Sequence, residues 1–111
     1  MNPTTCILLF ISLMVLLLGG WLWQLTSNRS TLVNTLFGTV CLMLAAYHCA
    51  SHQQMEWAIM LPFFTTMLFG GRAVGTWWRS RKETDLRLPA QLMTAVAALA
   101  LTATISAYVA Y

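Results

Sequence analysis

The chain has 111 residues, of which 59% are hydrophobic and 8% charged, with a formal net charge of +3. A water-soluble domain carries about a quarter charged residues, so this composition excludes a soluble globular protein, and the length leaves no room for a soluble enzyme domain beside the apolar stretches. The positive residues gather next to apolar runs, which points to a membrane surface rather than nucleic acid as their counterpart.

The first apolar run, about residues 5–24, is rich in Leu and Ile and suited to face lipid. No Lys or Arg precedes it and no small-x-small signature follows it, so it reads as a retained span and not as a signal peptide. QLTSNRS, residues 24–30, closes it with Arg29. The sequon NRS within that loop is expected to stay unused, because the loop hugs the membrane on the side assigned below to the cytoplasm.

The second run covers about 31–51 and ends in YHCAS. His48 and His52 stand four apart on one helical face, a half-site for a divalent metal. A complete site needs three or four ligands, and the chain has 2 His. A wet helix end is therefore the leading reading, with no metal and no cofactor expected. Cys6 and Cys49 fall near the same surface and form a candidate disulfide for an oxidising compartment; Cys41 lies mid-span.

The third run, about 56–78, opens on Glu56 and contains Pro62, which should free the carbonyl of Ala58 and kink the helix. Gly71 and Gly75 have the spacing that lets helix backbones approach, read first as internal packing on span 2 or 4 and second as a contact with a partner. Between them Arg72 lies about 7 Å inside Trp77 on a 1.5 Å rise. Three roles are open to it: an anchor that snorkels to the interface, a binder of an anionic headgroup, or part of a conduction path. Its expected partners are Glu83 or Asp85, a carbonyl, or a lipid phosphate.

The third loop, WRSRKETDLRLP at 78–89, carries Arg79, Arg81, Lys82 and Arg87. A basic cluster of this size attracts anionic headgroups. The fourth run, about 88–110, repeats small residues every four positions: Thr94, Ala98, Thr102, Ser106 and Ala110, with Ala95, Ala103 and Ala107 beside them. In lipid, close packing through small residues drives association, so this helix is expected to be surrounded by protein, from its own bundle or from a partner, with Ala98, Thr102 and Ser106 at the contact.

Four runs of about 20 residues each suffice to cross the bilayer as helices. The expected fold is all-α, a single membrane domain over residues 1–111 built as an up-down-up-down four-helix bundle. Arg29 falls in the first loop and Arg79, Arg81, Lys82 and Arg87 in the third, whereas the second loop and the two ends of the chain carry no Lys or Arg. The positive-inside rule then places those loops in the cytoplasm and both termini outside, in the periplasm of a bacterial-type inner membrane. Trp21, Trp23, Trp77 and Trp78 mark the inner interface, and Tyr47, Trp57, Tyr108 and Tyr111 the outer one.

FGGRAVGTW, residues 69–77, together with the four-span layout, resembles the small four-helix bacterial inner-membrane proteins grouped around DoxX. The resemblance implies an inner-membrane protein that works with partners and transfers no site residues. Small multidrug transporters share the length and span number, but they need a membrane-buried carboxylate in span 1, which is missing here. No Ser/His/Asp-like set or phosphate-cradling loop is present, so catalysis is not expected. The leading reading is an accessory or scaffold subunit of a membrane protein complex, whose partners are lipids and other subunits or its own copies. A homo-oligomeric channel or carrier for an anionic or lipid-like ligand comes second. An outer-face thiol or metal redox protein using Cys6, His48, Cys49 and His52 comes third.

Overall fold

The computed structural model describes residues 3–51 and 53–111, the side chains of Met55 and Ala110 excepted. His52, half of the histidine pair, and the Ala110 side chain at the end of the small-residue strip thus lie outside the described set. The chain forms four long helices: α1 (Pro3–Thr26), α2 (Arg29–Ser51), α3 (Met55–Ser80) and α4 (Arg87–Ala110), with a 3₁₀ turn at Thr84–Leu86 before α4. Each helical segment is long and apolar enough to cross a membrane, a set compatible with a multi-pass membrane protein.

The helices run longer than hydropathy alone indicated, because their polar ends also coil. What was read as a seven-residue first loop shrinks to Ser27 and Asn28. Ser27 makes the reversal with φ 52° and donates its N–H to the Trp23 carbonyl at 2.7 Å. Asn28 then caps α2, its Oδ1 accepting from the Ser30 N–H at 2.9 Å. The second turn pivots on Gln54, also at φ 52°. Pro62 is buried within α3, which continues as one helix from Met55 to Ser80, and Thr66 donates to the Pro62 carbonyl at 2.9 Å.

The packing forms a ring: α1 lies on α2 and α4, and α3 on α2 and α4, while the diagonal neighbours scarcely touch. This is the up-down-up-down arrangement that short connections impose. The core combines large aliphatic and aromatic groups with small ones: Leu8, Val15, Leu22, Leu42, Phe69 and Val96 are fully or almost fully buried, as are Ala45, Ala100, Ala103 and Ala107. Buried hydroxyls thread between them. Thr35 donates to the Thr31 carbonyl and Thr39 to the Thr35 carbonyl, both at 2.8 Å, so each is satisfied within its own helix. Among the described residues no buried side-chain nitrogen or oxygen lacks a partner, as an apolar surround requires.

Two glycines set the close approaches. A Cβ built at Gly19 would overlap the side chain of Thr35, and one at Gly38 would come within 3.0 Å of Thr65 and 3.4 Å of Phe69. Gly71 and Gly75, expected to pack inside the bundle, do not: a Cβ at either meets nothing within 4 Å. Spacing put them on a common helical path, but that path faces away from the neighbouring backbones. The bundle's outward surface is strongly apolar, with Phe10, Leu17, Val33, Met67 and Val74 each more than half exposed. Such a surface lacks a polar shell and suits hydrocarbon, not water.

Candidate functional site

The four helices bring their first and third connections to one end, and the cations of the sequence gather there. Two clefts open on that end, one on each side of the α3–α4 seam. The first, of about 530 Å³, lies between the end of α1, the start of α2, the last turns of α3 and the start of α4. Arg72, Thr76 and Arg79 line it from α3, Thr31 and Asn28 from the α2 start, and Asp85 from the 3₁₀ turn. Leu25, Leu86 and Met93 supply its apolar walls.

Gly71 and Gly75 belong to this cleft. Their missing side chains leave room beside Arg72 instead of drawing two helices together.

Arg72 organises the first cleft. It sits eight residues before the end of α3, about 12 Å along the axis on a 1.5 Å rise. Its guanidinium donates to Ser30 Oγ at 2.7 Å and to Thr31 Oγ1 at 3.4 Å. The loop acids Glu83 and Asp85 were the expected partners, yet the short α1–α2 turn brings the hydroxyls of the first α2 turn within reach. Both hydroxyls are neutral, so these bonds orient the guanidinium and leave its charge uncompensated. Thr31 also accepts from Thr26 Oγ1 at 3.3 Å, and Thr76 donates to the Arg72 carbonyl at 2.8 Å. The amino end of α2 adds a partial positive charge to the same space.

The remaining predicted cations fall elsewhere. Arg81 and Arg87 line the second cleft, of about 570 Å³, with Trp77, Trp78 and Gln91. Arg81 stacks over the Trp78 ring at 4.7 Å, a cation–π contact that holds it at the rim. Arg79, Arg81 and Lys82 also border a smaller depression beside Glu83. The five cations read from the sequence therefore do not build one site; Arg72 and Arg79 share one and Arg81 and Arg87 another. Asn28, Ser30 and Thr31 were not foreseen. The only signal for them was the run of hydroxyls and amide around residues 26–31, which hydropathy reads simply as a loop.

The small strip on α4 turns away from its own bundle, which leaves a partner as the protein that could cover it. Thr94, Ala98 and Thr102 are exposed and Ser106 is half-buried, whereas Ala103 and Ala107 of the adjacent strip are buried. The α4 core face is Met93, Val96, Ala100, Ala103 and Ala107. A helix rotation of roughly 100° per residue separates the two faces. Thr94 accepts from Trp77 Nε1 at 2.9 Å, so that tryptophan ties α3 to α4 as well as lying at the helix end.

At the opposite end, His48 Nδ1 donates to the Gln53 carbonyl at 3.1 Å, which bridges the turn between α2 and α3. Glu56 lies exposed in the first turn of α3, where its charge complements the helix dipole. Among the described residues no three His, Cys, Asp or Glu cluster in a way that could hold a metal. Cys6 and Cys49, the candidate disulfide, are not bridged in the structure, with Cys6 exposed and Cys49 buried. Cys6 faces outward from α1 and Cys49 lies in the core on α2. In comparisons with protein-family models, curated proteins and solved structures, the chain matches none.

Proposed function

We propose that this chain is a non-catalytic, four-span membrane protein that serves as an accessory or scaffold subunit of a larger membrane assembly. Its basic end would face the cytoplasm of a bacterial-type inner membrane, with both termini outside. The observation that carries the reading is the exposed face of α4. Ala98 and Thr102 turn away from their own bundle, and small side chains gain little from lipid but allow another helix to come close. A helix of a partner subunit is the occupant that uses this face. The resemblance of residues 69–77 to DoxX-type proteins agrees in kind, since it too implies work with partners.

A channel or carrier ranks lower. The contacts of Gly19 with Thr35 and of Gly38 with Thr65 close the middle of the bundle, so a path would have to run between copies. Redox or metal chemistry at the opposite end ranks third, because Cys6 is exposed and Cys49 buried.

Purification in mild detergent tests the main reading. Co-purifying subunits that are lost from an Ala98→Trp, Thr102→Trp variant are the expected result. A homogeneous complex of this chain alone, unchanged by the double variant, would overturn it. Accessibility labelling that found either terminus on the side of the Arg79–Arg87 loop would overturn the orientation.

A further inference from the structure

We infer that the cleft around Arg72 binds the phosphate of a monoanionic phospholipid whose headgroup carries hydroxyls. The inference stands apart from the accessory reading; it requires only that the helices lie in a bilayer.

Three features converge on this ligand. First, charge: Arg72 and Arg79 against Asp85 leave one net positive charge lining the cleft, and the amino end of α2 adds to it. A single phosphodiester balances that charge. Second, donors: the Arg72 guanidinium spends two contacts on Ser30 and Thr31, and of its five N–H groups the others are free to meet phosphate oxygens. Arg79 stands seven residues on along the same helix, about 10 Å further toward the end. An anion would therefore meet Arg79 first and come to rest at Arg72. Third, the walls: Asp85 accepts hydrogen bonds and so suits a hydroxyl-bearing headgroup, while Leu25, Leu86 and Met93 suit the glycerol and upper chain of a lipid.

Gly75 makes the space. A Cβ there would meet no neighbouring side chain or helix within 4 Å and would border the cleft, so Gly75→Leu fills the site without removing a charge. The shared chemistry of the site is phosphate, which a soluble phosphate ester also offers. The depth of Arg72 and the apolar walls favour the lipid.

The test uses the full chain in mixed micelles holding equal amounts of phosphatidylglycerol, phosphatidylethanolamine and phosphatidylcholine, read by native mass spectrometry and titration. Retention of phosphatidylglycerol above the two zwitterionic lipids is expected. Arg72→Gln and Gly75→Leu should each weaken it by roughly tenfold or more, the scale of one charge-assisted hydrogen bond. Arg29→Gln, which removes an exposed cation of the same end outside the cleft, should change it by less than about twofold. Circular dichroism and gel filtration check that each variant folds; should Arg72→Gln fail, Gly75→Leu decides alone. Equal retention of all three lipids, or equal losses in Arg29→Gln and Gly75→Leu, would overturn the site. Displacement of the lipid by millimolar glycerol phosphate would overturn its assignment to a lipid and leave a soluble phosphate ester as the ligand.

Discussion

Gly19 and Gly38 sit in the packed middle of the bundle, while Gly71 and Gly75 border the cleft at its basic end. The first pair stands where Thr35 and Thr65 press against neighbouring backbone; the second meets empty space. Residue type and helical setting are alike, so the difference comes from what faces each position. In one place glycine allows contact between helices, and in the other it keeps a wall from filling. The packed middle should therefore resist change, and the open end should tolerate it.

Substitutions can break this contrast, and the largest effect is expected in the middle. Phe69 is 1% exposed and lies 3.4 Å from the position of a Gly38 Cβ; Phe69→Ala should cost about 3–5 kcal/mol in thermal or denaturant unfolding in detergent. Gly19→Leu should follow at about 1–3 kcal/mol, because the new side chain must displace Thr35 or separate α1 from α2. Ser30→Ala removes the 2.7 Å bond to Arg72 at an exposed position and should cost at most about 1 kcal/mol. The smallest effect belongs to Gly75→Leu, which should leave stability within about 0.5 kcal/mol even though it closes the cleft to its ligand. If Gly75→Leu unfolded the protein as Gly19→Leu does, the two regions would not differ in the way described.

Much of this was legible from composition and spacing. Scarce charge and four apolar runs announced the four helices, since apolar length is a property of the chain itself. The boundaries were less legible, because polar residues such as Arg29 and Ser30 extend α2 once Asn28 caps it. For the site, Arg72 stood out because an arginine inside an apolar run is costly. Its partners did not, because Ser30 lies 42 residues away and is joined to it only by the way α2 and α3 pack.

The face of α4 makes the same point from the other side. Periodicity placed Thr94, Ala98 and Thr102 in one row and Ala103 with Ala107 in another, but either row could have turned inward. Hydropathy cannot rank them, because in lipid both inward and outward faces are apolar and the usual contrast between core and surface disappears.

By itself, then, the order of residues determined that there are four helices, how long their apolar stretches are, and at which end the cations collect. Those follow from local properties: the free energy of apolar side chains and the positions of the arginines along the chain. Only the tertiary structure decided which glycines touch, which face of α4 is left outside, and that Arg72 meets the α2 hydroxyls instead of a loop acid. These depend on the rotation of each helix about its own axis, which is set by the fit of side-chain shapes across the bundle and is written in no single segment.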